Sequence, residues 1–350
     1  MSTPLISIIT TVYNGDQYLD AAIESIIAQD FANFEYIIVD DGSTDASADV
    51  IHRWACRDRR IVVKSLPENT GIARAFNHGL ELARGRYVCR HDADDVCAGS
   101  RLRHQVERLE SDPAIALVTA NCMDIDARGR VVHEHIVENP PAVIAFLLHF
   151  RNCMMGAGGQ GMFRVDAARE MGGFNETLAA SVDYDFFCRL SKRGNFVVLP
   201  FVGLKRRLHP QQTSQRMRPL QLRNSISTSQ KMIGDLLGRE ILGDEAAAIT
   251  TISRYLGNAG TGSTAHRIFK ECFAHFAGTN SQRGRIRRVI AGWWVHSAAA
   301  LFRKGERREA VRQLAYSVLW HPSSLMLCAS IVIRKLRTLL GCQLPPRSIA

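Results

Sequence analysis

The chain has 350 residues, 46% of them hydrophobic, and a formal net charge of +10. It is long enough for two domains, and its apolar content is that of an ordinary globular protein. Nine cysteines (56, 89, 97, 122, 153, 188, 272, 328, 342) are odd in number and form no CxxC pair. That argues against a disulfide framework or a zinc site and for reduced thiols in a cytosolic protein. The charge is uneven: residues 1–220 hold 25 Lys/Arg against 27 Asp/Glu, residues 221–350 hold 19 against 7. A near-neutral part is therefore followed by a strongly basic one suited to anionic partners. Met1 to Leu5 lacks the basic start of a signal peptide. No apolar run reaches the roughly 18 residues of a membrane-spanning helix, and the best candidate, Ser323 to Ile333, is too short.

In chain order, Leu5-Ile6-Ser7-Ile8-Ile9 predicts a buried parallel strand ending in Thr10-Thr11-Val12-Tyr13-Asn14-Gly15. Leu19, Ala22, Ile23, Ile26 and Ile27 share one face of a following helix. Tyr36 to Val39 predicts a second strand, ending in Asp40-Asp41-Gly42-Ser43-Thr44-Asp45, where Asp45 or Ser43 suits a helix cap. A helix then runs to about Ala55, Ile61 to Val63 is a third strand, and a helix over Ile72 to Ala83 leads into Tyr87-Val88-Cys89. Strand and helix alternating at this pitch predict βαβ units and a parallel sheet covered on both faces.

Directly after the fourth strand comes Arg90-His91-Asp92-Ala93-Asp94-Asp95, with three carboxylates in four residues. Such crowding needs compensation, and a divalent cation bridging to a phosphate supplies it. An isolated DxD is equally a solvated turn. Here, however, Thr11/Tyr13/Asn14, Asp40/Asp41 and Asp92/Asp94/Asp95 all fall at the carboxyl ends of strands, where such sheets bind ligands. The Gly-rich dinucleotide and P-loop fingerprints are absent, which disfavours NAD and the ATP γ-phosphate. Carboxylates can accept from ribose hydroxyls or a base N–H, and Tyr13 can stack on a base. The pattern points to a nucleoside diphosphate linked to a transferable group.

The runs Ser7 to Asn14, Ile37 to Asp45, Asn69 to Asn77 and Asp92 to Asp95 resemble, in order and spacing, the motifs of the family 2 inverting glycosyltransferases of GT-A fold. The resemblance extends to about residue 215. It implies an α/β fold with a doubly wound, mostly parallel sheet, a nucleotide-sugar donor (a UDP-sugar), Mn²⁺ or Mg²⁺, and inversion at the anomeric carbon. It further implies that Thr11, Tyr13, Asp40 and Arg74 bind the donor. Asp92 would lie near ribose and metal, and Asp94 would be the principal metal ligand; Asp41 and Asp95 have weaker claims. Gly158-Gly159-Gln160-Gly161 would floor the sugar site. Asp183 in Ser181-Val182-Asp183-Tyr184-Asp185 would be the catalytic base, with Asp185 as runner-up. Val182 stands where the family carries a Glu. Arg207, His209, Gln212 and Ser214 match the family's closing motif, Arg206 replaces its usual Tyr, and His209 would reach the metal or diphosphate.

These readings divide the chain into a catalytic domain over 1–215 (donor half 1–115, acceptor half 116–215) and a basic helical region over 216–350. In that region Arg283, Arg285, Arg287 and Arg288 lie beside Trp293, Trp294 and, further on, Trp320. A segment resting on an anionic membrane and a soluble bundle with a basic exterior fit these residues equally well. No nucleic-acid module is present. The expected activity is sugar transfer to a hydroxyl of a glycan or lipid-linked oligosaccharide at the inner membrane face. A sugar-1-phosphate nucleotidyltransferase would want a basic loop that Thr10 to Asp16 lacks, and a non-catalytic binder would be expected to lose the acids present here.

Overall fold

A computed structural model describes residues 3–154, 156–257 and 260–324. Cys328, Cys342, most of the apolar run from Ser323 to Ile333 and the expected helix beyond 324 lie outside the described residues. The chain forms two compact units, Met1–Thr228 and Ser229–Ala350.

The first unit begins β1 (Ile6–Val12), α1 (Asp16–Ile27), β2 (Phe34–Asp40), α2 (Ser47–Ala55), β3 (Ile61–Ser65), α3 (Ile72–Leu82) and β4 (Tyr87–Arg90). These are the sequence-predicted elements, with β1 running three residues further than the apolar run. Thr10 extends β1 because its hydroxyl is satisfied inside, paired with the Tyr36 hydroxyl at 2.9 Å and donating to the His91 carbonyl at 2.8 Å. The chain continues through β5 (Val96–Cys97), α4 (Arg101–Glu110), β6 (Ile115–Ile125), β7 (Val131–His135), α5 (Pro141–Leu147), a 3-10 turn over Ala157–Gly159, β8 (Met162–Arg164), α6 (Val165–Glu170), α7 (Val182–Leu190), β9 (Asn195–Arg207) and α8 (Thr213–Arg216). The helix α9 (Arg218–Leu237) leads into the second unit.

One nine-stranded sheet has the order β3-β2-β1-β4-β8-β6-β9-β5, with β7 paired to β6. Its first four strands are all parallel. The short β8 then runs antiparallel to both β4 and β6, and β9 is parallel to β6. Every residue of β2 is buried, as a central strand covered on both faces requires. The register aligns Val12 with Asp40 and Ile9 with Arg90, so the carboxyl ends of β2, β1 and β4 form one rim.

The second unit is helical: α10 (Gly243–Ser253), α11 (Gly262–Ala274), α12 (Asn280–Arg303) and α13 (Arg307–Trp320). Thr279 and Gln282 form a capping box at the start of α12. Gly305, at φ +84°, ends it. Glu306 N–H reaches the Leu301 carbonyl and Gly305 N–H the Phe302 carbonyl, a Schellman closure that turns the chain into α13. Of the two readings left open for the tryptophans, their burial favours the bundle core. Trp293, Trp294 and Trp320 are 4%, 0% and 6% exposed and pack around Phe269, Phe273, His266 and Tyr316. Burying such large rings is what gives this small unit a core.

Candidate active site

The loops at the rim are tied to each other before any ligand is considered. Asn14, in the left-handed region at φ +51°, accepts from Thr44 N–H at 2.8 Å, while its own N–H donates to Ser43 Oγ. Asp45 stands one residue before Ala46, the N-cap of α2, and ties the two helix starts together: its carboxylate oxygens accept from Ser47 N–H (3.0 Å) and Asp16 N–H (3.2 Å) at the starts of α2 and α1. Asp41 is structural too. It accepts from Thr70 N–H, Thr70 Oγ1 and Gly71 N–H, all within 2.9 Å, and so fixes the entry to α3.

On this frame stand the expected donor-binding residues. Thr11 is half-buried, Tyr13 is 47% exposed in the loop beyond β1, and Asp40, 5% exposed, accepts from Ser43 N–H. Arg74, in the first turn of α3, is exposed and paired with Glu176 at 3.2 Å. The adjacent strand spacing puts the β2 and β4 ends about 10 Å apart.

The acidic run after β4 is held by unlike partners. Asp92 pairs with Arg90 at 2.5 Å, and Arg90 also donates to the Gly158 carbonyl at 2.6 Å. Asp94 meets His209 Nε2 at 2.9 Å. Asp95, 2% exposed, accepts from Arg207 N–H at 2.9 Å and caps nothing. Loss of hydration raises the carboxyl pKa of Asp92, helped by the charges of Asp94 and Asp183 and opposed by Arg90. Burial pushes Asp95 well up, reinforced by Asp94 and Asp92. The hydrogen bond that His209 donates to the Asp94 carboxylate raises its pKa above the ordinary histidine value.

Asp183 lies in the first turn of α7, after Ser181 in the left-handed region at φ +59°. Its Oδ2 accepts from Asn152 Nδ2 at 3.2 Å. The Ala157–Gly159 turn is wedged between it and the acidic run. A Cβ on Gly158 would stand 2.7 Å from Asp183 Oδ2, and one on Gly159 would stand 2.6 Å from Asp92 Oδ2. Only glycine permits this approach. The carbonyls of these two glycines are held by Arg90 and by the fully buried Arg101 (3.3 Å). Asp185, in contrast, is committed to Arg189 at 2.9 Å, which also donates to the Met171 and Gly173 carbonyls.

The structure thus sets Asp183 and Asp92 against the two glycines of one turn, pairs Asp94 with His209, and places Asp40, Thr11 and Tyr13 at or just beyond the carboxyl ends of β2 and β1. Arg206 and Arg207, at the start of the closing motif, are engaged within the protein. Arg206 binds Asp124 through two nitrogens (2.8 and 2.9 Å), and Arg207 donates to the Asp94 carbonyl. Burial works against the Asp124 charge, but its hydrogen bonds from Arg206 and His135 prevail and hold its pKa low. Arg90, Arg101 and Asn152 were given no role from sequence. Arg90 adjoins a motif, whereas nothing local marks Asn152 as a partner of a residue 31 positions away.

A parallel half-sheet with carboxylates at its carboxyl rim, extended by antiparallel β8, is the architecture of the GT-A-type nucleotide-sugar transferases. The glycosyl transferase family 2 model matches residues 7–172. The chain is 31% identical over 228 residues to an uncharacterized glycosyltransferase of Haemophilus influenzae, covering 60% of this chain and 68% of that protein. This protein belongs to glycosyl transferase family 2. It is also 28% identical over 241 residues to the chondroitin synthase of Escherichia coli, covering 67% of this chain but only 33% of the synthase. Two solved structures share the fold. S. aureus TarS 1–349 in complex with UDP-GlcNAc has a TM-score of 0.57 at 14% identity, over 89% of this chain and 90% of that one. The mannosyltransferase PcManGT from Pyrobaculum calidifontis, in complex with GDP-Man and Mn²⁺, has a TM-score of 0.55 at 19% identity, over 93% and 88%.

Proposed function

We propose that this glycosyltransferase moves a sugar from a UDP-sugar to a hydroxyl of a glycan or lipid-linked oligosaccharide, with a divalent cation and with inversion. The observation that carries the reading is the Gly158–Gly159 turn standing against Asp183 at one glycine and Asp92 at the other, with Asp94, two residues beyond Asp92, paired to His209. The titles of the fold neighbours, with UDP-GlcNAc in one and GDP-Man with Mn²⁺ in the other, support a nucleotide-sugar donor.

The residues present fit Mn²⁺ or Mg²⁺. Neighbouring ligands on an octahedral ion at about 2.0–2.1 Å stand about 3 Å apart. His209 Nε2 and Asp94 Oδ2 are 2.9 Å apart. Among the described residues no three His, Cys, Asp or Glu side chains converge as a complete cage. Asp94 and His209, with Asp92 beside them, suit an ion completed by donor phosphate oxygens and water. Such an ion, when bound, stabilises negative charge on a leaving diphosphate.

Asp40 and Thr11 receive the nucleoside, Tyr13 stacks on its base, and Arg74 flanks the donor. Arg90 keeps Asp92 turned toward the turn. Asp183 takes the proton of the acceptor hydroxyl, whose oxygen bonds to the anomeric carbon as the bond to the diphosphate breaks. One base on one face gives one displacement and therefore inversion; general-base assistance contributes about 10²–10⁴-fold. The catalytic part is read as 1–215 and the basic helical part as 216–350. Exposed Arg287, Arg288, Arg303, Lys304, Arg307 and Arg308 support peripheral contact with an anionic membrane at the cytoplasmic face. No described helix is long and apolar enough to cross a membrane.

The test is a panel of UDP- and GDP-sugars assayed for nucleotide release with Mn²⁺ and with EDTA, and product configuration read by NMR. Release from a UDP-sugar that stops with EDTA, and an inverted product, is expected. Metal-independent release or retained configuration would overturn the mechanism.

A further inference from the structure

The base position departs from the family pattern, since Val182, 4% exposed, occupies the place of the usual Glu. A carboxylate that must accept a proton in one direction needs its orientation fixed by something else. Three observations identify what does so. First, Asn152 donates through Nδ2 to Asp183 Oδ2 at 3.2 Å. Second, Asn152 is itself oriented, because Met154 N–H donates to its Oδ1 at 3.1 Å. The amide therefore has its oxygen toward Met154 and its NH₂ toward the base. Third, Asp183 Oδ2 is backed by Gly158, where even a Cβ would stand 2.7 Å away.

We infer that Asn152 is the positioning residue for the base: its amide pins Oδ2 of Asp183 and leaves Oδ1 to meet the acceptor hydroxyl. Oδ1 takes the proton, the hydroxyl oxygen forms the new bond to the anomeric carbon, and the electron pair of the broken bond departs on the diphosphate. Asn152 acts only through Asp183 and exchanges no proton. The inference rests on the reading of Asp183 as the base.

An isosteric pair of changes separates this role from a structural one. Asn152→Asp keeps an oxygen for Met154 N–H but replaces the donor to Asp183 by a second acceptor. Asn152→Ala removes both contacts. Both are measured in the full-length protein, with Mn²⁺ and the sugar nucleotide that the panel above identifies, following nucleotide release with and without acceptor. Misplacing a reacting group by about 1 Å can cost on the order of 100-fold. Each variant is therefore expected to lower kcat by about 10- to 100-fold, with the donor KM and the thermal midpoint close to wild type. Asn152→Asp should fall at least as far as Asn152→Ala. Wild-type kcat in Asn152→Asp would overturn the inference, as would a loss that appears in donor KM alone. Asp183→Asn tests the underlying reading separately: if it retains transfer, Asp183 is not the base and the inference falls with it.

Discussion

The glycine turn is where single atoms decide the outcome. Gly158 and Gly159 each press against a carboxylate so closely that a Cβ at either position would displace it. Gly158→Ala is expected to push Asp183 out of line and lower kcat by about tenfold or more, with donor affinity retained. Gly159→Ala pushes on Asp92 instead, so donor or Mn²⁺ affinity should fall first. Titration calorimetry with UDP and Mn²⁺, beside steady-state kinetics, separates the two, and equal effects on both parameters would contradict the assignment. The carboxylates themselves were legible in the sequence, because acids clustered at strand ends are costly without a purpose. Their partners were not. Arg90 bridges Asp92 and Gly158, and Asn152 reaches Asp183, through contacts that exist only once β4, the turn and α7 have assembled. Asp41 shows the converse: its motif was visible, but its three hydrogen bonds to Thr70 and Gly71 make it a fastener of the loop.

Among the elements, the strands and helices up to β4 could be read directly, since buried parallel strands are continuous β-branched runs and their helices keep a strict apolar face. The three-residue β8 could not, because its antiparallel insertion between β4 and β6 is a tertiary choice. In the helical unit the tryptophans stayed ambiguous for a related reason: Trp beside Arg fits a membrane interface and a bundle core alike, and only packing shows that Trp294 is fully buried. Trp294→Ala should therefore destabilise the protein by about 3–5 kcal/mol, seen as a lower denaturation midpoint; an unchanged midpoint would contradict a core role. Charge binds α10 to α11 in the same unit. Arg239 and Arg267 both hold Glu245, and together they lower its carboxyl pKa to about 2. A depressed carboxyl contributes stability above its unfolded value, near 4.5, and loses it as pH falls toward 2. Glu245→Gln should thus be less stable than wild type at pH 7, with the difference shrinking as the pH drops through this window. A constant difference from pH 7 to pH 3 would rule out the ion pair as its cause.

The whole molecule combines a near-neutral sugar-transferase unit with a basic helical one. Between 279 and 312 the chain holds nine Lys/Arg against two Glu. Each basic residue near an anionic bilayer contributes about 1 kcal/mol, screened by salt. Arg287→Glu with Arg288→Glu should weaken sedimentation with phosphatidylglycerol vesicles and leave nucleotide release unchanged. Binding insensitive to both salt and these changes would refute the electrostatic contact. The central claim concerns the other unit, and one comparison tests it most directly: UDP-sugar binding and turnover in Asp94→Ala beside Asp183→Ala. With Mn²⁺ present, Asp94→Ala should lose donor binding, while Asp183→Ala should bind the donor like wild type and transfer nothing. Full turnover in either variant, or the loss of binding in Asp183→Ala alone, would contradict the division of labour across the glycine turn.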